Sequence, residues 1–120
     1  MEKMRIKQTA EISKTITQQD VDTFIKLTGD TNSVHKEIVH GMLVCSFIST
    51  MIGTELPGEG SIWLSHHIDF IAPIYVGEKL TIKAEVVKIE GDRYKLWIDV
   101  FNPRGLAVST NGWVKWKDTN

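Results

Sequence analysis

The stretch His40-Gly41-Met42-Leu43-Val44-Cys45-Ser46-Phe47-Ile48-Ser49-Thr50-Met51-Ile52-Gly53 decides the fold. Its apolar residues fall nearly all the way round a helix, so that helix is expected to be buried on almost every side. Something else must enclose it, and the flanking sequence says what. On the N-terminal side, Thr17 reads as an N-cap, because Asp20 follows three positions later and Val21, Phe24, Ile25 and Thr28 recur at helical spacing. This predicts a helix over about Gln18 to Thr28, stopped by Gly29. Before it, Arg5 to Ile16 is polar with Ile6, Ile12 and Ile16 spaced through it, the pattern of a half-exposed strand.

On the C-terminal side, the turn-rich Leu56-Pro57-Gly58-Glu59-Gly60 leads into strand candidates. Ser61 to Phe70 is followed by a break at Pro73, and Lys79 to Ile89 places Leu80, Ile82, Ala84 and Val86 on one face. Glu90-Gly91-Asp92-Arg93 is a hairpin turn into Tyr94, Leu96, Ile98 and Val100; Asn102-Pro103-Arg104-Gly105 turns the chain again into Leu106 to Trp116. Helices first and an antiparallel meander after them is α+β architecture, and an apolar helix beside such a sheet implies a sheet that curls around it. No repeat or linker divides the chain, so residues 1–120 are read as a single domain.

The composition narrows the function classes. Fourteen Lys and Arg against fifteen Asp and Glu give a formal charge of -1, and the basic residues are scattered, which argues against nucleic acid as a partner. Met1-Glu2-Lys3-Met4-Arg5 carries charge with no apolar run behind it, so no signal peptide is expected. The apolar run from Met42 to Ile52 is shorter than the roughly 20 residues that span a bilayer. Cys45 is the one cysteine and has no internal partner, which suits a reducing cytoplasm. A chain of this length hides roughly two thirds of its unfolded surface and folds without disulfide or metal.

Two segments carry a family resemblance. Leu27-Thr28-Gly29-Asp30-Thr31-Asn32-Ser33-Val34-His35, followed by Ile38-Val39-His40-Gly41-Met42-Leu43, resembles the MaoC-like dehydratases and (R)-specific enoyl-CoA hydratases. The similarity continues through Gly53-Thr54-Glu55-Leu56-Pro57-Gly58-Glu59-Gly60-Ser61-Ile62-Trp63-Leu64, then Phe70, Pro73 and Val76-Gly77-Glu78, and weakly into the last strand. It implies a hot-dog fold, a long antiparallel sheet wrapped around one central helix. Two departures stand out. Ser33 follows Asn32 where the family usually has Pro, and only Lys36, Glu37, Ile38 and Val39 separate His35 from His40. Family members place roughly a dozen more residues there, overhanging the active site; either that overhang is absent, or a mobile lid segment is missing between these residues. Its absence implies a wide acyl pocket that discriminates chain length poorly.

Hydrating a trans-2-enoyl thioester requires a base for water, a proton for Cα and stabilisation of charge on the thioester oxygen. The resemblance implies that Asp30 and His35 are the acid–base pair; without it, a turn-forming Asp and a solvent-facing His would account for both. Gly41 opens the buried helix, where free N–H groups and the positive end of the dipole would polarise the thioester oxygen and a larger side chain would block it; an ordinary packing glycine is the plainer alternative. Ser49 matches a serine that the family places near the pair, or else bonds back to its own helix. Asn32 is expected to shape the loop through Asx-type bonding, and His40 to be structural.

The remaining signals point away from further chemistry. His66 and His67 are strand neighbours facing opposite sides and do not chelate one ion. Cys45 reads as a small core residue, Gly58-x-Gly60-Ser61 lacks the Lys of a phosphate loop, and Trp63, Trp97, Trp113 and Trp116 read as sheet packing. The expected activity is hydration, or the reverse dehydration, of acyl thioesters carried on coenzyme A or an acyl carrier protein. No cofactor or metal is implied, and unpaired sheet edges imply a homodimer. The rivals are a hot-dog thioesterase using Glu55 and a non-catalytic acyl-binding subunit.

Overall fold

The structure is a computed structural model and describes residues 4–117; the reading of Met1 to Lys3 as free of a signal lies outside the described residues. The elements run β1 (Thr9–Thr15), α1 (Gln18–Thr28), a 3-10 turn (Ser33–Lys36), α2 (Gly41–Thr54), β2 (Ile62–Phe70), β3 (Lys79–Glu90), β4 (Arg93–Asn102) and β5 (Gly105–Lys115). Among the described residues no helix is long and apolar enough to cross a membrane.

Local chemistry accounts for both ends of α1. The Thr17 hydroxyl accepts the Asp20 N–H at 3.2 Å and the Asp20 carboxylate accepts the Thr17 N–H at 2.9 Å, a reciprocal capping box. Gly29 closes the helix at φ 77°, a left-handed conformation that glycine enters without strain, and its N–H reaches the Ile25 carbonyl.

All five strands join one antiparallel sheet in the order β1-β3-β4-β5-β2. This corrects the plain meander expected from the sequence. Only β3, β4 and β5 follow one another; β1 and β2 flank α2 in the chain but take opposite edges of the sheet. The physical reason is enclosure: with the helix lying on the sheet, the strand that enters it and the strand that leaves it reach the two open edges. Alternation turns Leu80, Ile82, Ala84 and Val86 of β3, and Leu96, Ile98 and Val100 of β4, into one core with Leu43, Val44, Cys45, Ile48, Met51 and Ile52 of α2. Desolvation in that core pushes the Cys45 thiol up, as befits an inert packing residue. A second correction concerns α2 itself. Met42, Ser46, Ser49 and Gly53 recur at helical spacing and are exposed, so one stripe of the helix is open.

Across the β2–β5 ladder His66 stands directly opposite Gly112. The Trp63 indole N–H donates to His66 Nδ1 at 2.9 Å, His66 Nε2 lies 2.7 Å from the Thr110 hydroxyl, and that hydroxyl donates to the Ile98 carbonyl at 2.7 Å. The hydroxyl proton being committed to Ile98, His66 must donate from Nε2. Burial pushes the His66 pKa down.

The segment that carries the candidate site is docked on the loop between β2 and β3. Val39 N–H donates to the Ile74 carbonyl at 2.8 Å, Val76 N–H to the Glu37 carbonyl at 3.1 Å, and Ile38 pairs with Tyr75. The loop is fixed in turn by Arg104, which forms a two-pronged ion pair with Glu78 and donates to the Pro73 carbonyl at 3.0 Å. Glu78 also accepts the Tyr75 N–H at 2.6 Å. The Arg104 hydrogen bonds hold the Glu78 carboxyl below its ordinary range.

Two outcomes follow. A Cβ on Gly112 would lie 2.0 Å from His66 Nδ1 and 2.2 Å from the Ser65 carbonyl oxygen, which is backbone and has no room to yield. Gly112→Ala is therefore expected to cost about 3 kcal/mol, read as a lower midpoint in denaturant at unchanged slope. Because Glu78 is held down in the folded state, its contribution is fully present above the ordinary carboxylate range and is lost as pH falls through the lowered value. The stability gap between the parent and Glu78→Gln should be widest at neutral pH and close in acid. A gap that persists unchanged in strong acid would contradict the clamp.

Candidate active site

A run of side-chain turns leads from α1 to α2. The Thr28 hydroxyl accepts the Asp30 N–H at 3.2 Å, Asp30 Oδ1 accepts the Asn32 N–H at 3.3 Å, and Asn32 Oδ1 accepts the Val34 N–H at 3.2 Å to start the 3-10 turn. Asn32 thus shapes the loop, and Asp30 spends one carboxylate oxygen on it while Oδ2 stays free. His35 leaves the turn with Nδ1 2.9 Å from the Ile38 carbonyl.

Asp30, His35 and His40 meet at one point. His35 Nε2 lies 3.6 Å from Asp30 Oδ2 and His40 Nε2 lies 3.8 Å from the same atom. The Asp30 side chain is 49% exposed, that of His35 14% and that of His40 2%. The hydrogen bonds assign the protons. A carbonyl oxygen only accepts, so His35 donates from Nδ1 to Ile38, and in its neutral form Nε2 carries a bare lone pair. By the same reasoning His40 donates from Nε2 to the Asp30 carbonyl at 3.2 Å. Two acceptors therefore face one another, the His35 lone pair and Asp30 Oδ2. That pair can take both hydrogens of a single water and leave its oxygen lone pairs free to attack.

Gly41 is the first residue of α2, and its N–H has no acceptor within the helix. His40 supplies no side-chain cap there, so the dipole end is open. The packing reason raised for this glycine has a definite partner: a Cβ would lie 2.8 Å from Cε1 and Cζ of the Phe70 ring. Phe70 and Met42, 56% and 65% exposed, form an apolar rim beside that N–H.

Other sequence candidates fall elsewhere. Ser49 sits on the exposed stripe of α2, and among the described residues no hydrogen bond joins it to Asp30 or His35; the back-bonding serine is Ser46, whose hydroxyl donates to the Leu43 carbonyl at 2.5 Å. Glu55 caps the far end of α2, about 20 Å along the helix axis from Gly41. His66 is tied into the sheet while His67 is exposed beside Asp69, so they share no ion.

The donor atoms of Asp30, His35 and His40 lie within 4.8 Å of one another, which raises the question of a metal. The rings do not fit one. They are stacked at 3.6 Å with planes 22° apart, whereas a metal must lie in the plane of each imidazole it binds. His40 Nε2 is also committed as a donor to the Asp30 carbonyl.

The short connection between His35 and His40 is continuous through the 3-10 turn and the pairing of Ile38 with Tyr75. His40 is the member of the cluster whose contact with the pair escaped sequence reasoning. The one available signal was its closeness in the chain to His35.

Comparison with known proteins establishes the family and the fold. An (R)-specific enoyl-CoA hydratase of Aeromonas caviae is 33% identical over 127 aligned positions covering 93% of this chain and 95% of that protein, more positions than this chain supplies, so the relative carries extra residues within the match. The solved (R)-hydratase of A. caviae superposes with a TM-score of 0.91 at 31% identity, covering 98% of this chain and all of that one. An R-hydratase from Pseudomonas aeruginosa superposes at 0.90 with 31% identity over 96% of this chain and 83% of its own. The MaoC like domain model matches residues 2–97, and the chain belongs to that family, with its hot-dog fold.

Proposed function

We propose that this protein catalyses the reversible hydration of trans-2-enoyl thioesters, carried on coenzyme A or an acyl carrier protein, to (R)-3-hydroxyacyl thioesters. The observation that carries the reading is the pair of facing acceptors, His35 Nε2 and Asp30 Oδ2, 3.6 Å apart and adjacent to the open N-terminus of α2. Relatives named as (R)-specific hydratases support the stereochemistry.

The reaction follows from where the protons sit. The pair holds water by its hydrogens; one member takes a proton as the oxygen attacks Cβ. Electron density moves to the thioester oxygen, where the Gly41 N–H and the helix dipole stabilise it. A proton returned to Cα from the pair completes the addition and restores the site. No redox change occurs, and the balance needs only water and the enoyl thioester. The thioesterase reading is weaker, because its carboxylate candidate Glu55 lies at the opposite end of α2.

The active form is a homodimer. Among the described residues β2 pairs with β5 on one side only, and its other edge continues into exposed Ile62, Leu64, Phe70 and Ile71 beside the open stripe of α2. A second copy adding its own β2 would extend the sheet and cover that apolar surface. The single cysteine, buried and free, suits a reducing cytoplasmic setting.

Asp30→Asn keeps the loop's shape and removes the carboxylate. It should lower the rate of crotonyl-CoA hydration, followed by loss of the enoyl absorbance, by about a hundredfold or more; a variant as fast as the parent would refute the assignment. Light scattering at micromolar protein should give twice the chain mass, and a monomer mass would refute the dimer.

A further inference from the structure

We infer that His40 is a positioning residue for the proposed hydration: a single buried imidazole fixes both members of the acid–base pair and joins them to the oxyanion donor. The inference rests on the hydratase reading and adds a residue that neither touches substrate nor supplies a proton.

Three contacts define the role. The Nε2–H of His40 donates to the backbone carbonyl of Asp30 at 3.2 Å and lies 3.8 Å from Oδ2, so it sets where that carboxylate begins. Its ring face lies on the His35 ring at 3.6 Å, with planes 22° apart. Phe24, with ring centres 4.9 Å apart, packs the same imidazole from α1. His35 is therefore held at two points, by Nδ1–H on Ile38 and by its face on His40. A rotation that carried Nε2 away from Asp30 would break both. The peptide that follows His40 presents the Gly41 N–H, so the spacing between the pair and the oxyanion site is set within one residue.

A second observation shows that packing alone does not explain this side chain. His40 is 2% exposed and its Nδ1 has no hydrogen-bond partner among the described residues. A buried, unpaired polar atom lowers stability, and an apolar ring of similar size would fill the space without it. A histidine here makes sense where its other nitrogen is needed. Four residues separate His40 from His35, and the chain reverses within them to bring the two rings face to face.

The test compares His40→Phe, which keeps a flat ring and discards the donor, with His40→Gln, which keeps an amide donor and discards the ring. His40→Phe removes the unpaired Nδ1 together with the bond to the Asp30 carbonyl, so the two effects offset and its melting temperature should stay close to the parent's. Its kcat for crotonyl-CoA should nevertheless fall about tenfold to a hundredfold, with KM changed less than about twofold. His40→Gln should lose kcat in the same way. Activity that is retained within twofold in either folded variant, or that merely tracks a lowered melting temperature in both, overturns the proposal. If His40→Phe does not fold, His40→Gln decides by the same criteria.

A readout independent of turnover comes from long-range nitrogen–proton spectra of the parent labelled at histidine. His40 should carry its proton on Nε2 and neutral His35 on Nδ1; the opposite tautomer at His40 overturns the proposal. A parent that fails to hydrate any enoyl thioester defeats the hydratase reading, while the tautomers still decide whether His40 holds Asp30.

Discussion

Four residues, Lys36 to Val39, must carry the chain from the loop that bears Asp30 and His35 to the start of the central helix, and the geometry of the candidate site depends on that short span. Lys36 still belongs to the 3-10 turn and Glu37 closes it, which leaves Ile38 and Val39 as the only extended residues. So short a span does not travel far. It doubles back, and His35 and His40 finish face to face. The backbone of such a reversal needs partners for its N–H and C=O groups. The loop at Ile74 to Val76 supplies them, and Arg104 with Glu78 keeps that loop in place. An exposed ion pair contributes little by itself. This one matters because the loop it holds carries the hydrogen bonds that seat Ile38, and Ile38 in turn orients the His35 ring.

Proton placement is the second theme. Three of the four histidines have a ring nitrogen whose role is dictated by an atom that only accepts or is already committed: the Ile38 carbonyl for His35, the Asp30 carbonyl for His40, the Thr110 hydroxyl for His66. In His35 the assignment leaves a lone pair aimed beside a carboxylate, which serves a reaction whose second substrate is water. That also makes sense of the exposure of Asp30. Many active sites exclude water to protect an intermediate, but a hydratase consumes it, and an open approach to Asp30 costs this chemistry little.

What the sequence revealed divides by range. The ends of α1 were legible because Thr17, Asp20 and Gly29 act within a few residues of one another. The strands were legible from alternation, since each residue's face depends only on its own strand. Strand order was not, because nothing in β2 records that its neighbour is β5 rather than β3. The stripe of Met42, Ser46, Ser49 and Gly53 was hidden by an apolar composition that suggested burial all round. At the candidate site, a motif singled out Asp30 and His35, which the fold brings within 3.6 Å of one another. The packing of Phe70 on Gly41 and of His66 on Gly112 was invisible, since each joins residues from different elements. His40 escaped for a related reason: spacing gives distance along the chain, and only the reversal turns that distance into a stacked contact.

The placement of His40 bears on how a loop achieves catalytic precision. Asp30 lies half exposed on a connection, where side chains ordinarily wander. The tie from its carbonyl to His40 transfers the positional reference from the loop to the helix, because His40 is the N-cap of α2. That helix is anchored in the core, with Val44, Cys45, Ile48, Met51 and Ile52 each no more than 2% exposed. The Gly41 N–H, the proposed oxyanion donor, refers to the same helix directly. On the proposed assignment, both ends of the reacting enoyl thioester, the Cβ that meets water and the oxygen that gathers charge, are thereby measured from one rigid origin. The missing overhang can be dispensed with on this account, since the hydrophobic core, rather than a covering lid, fixes the relative position of the groups.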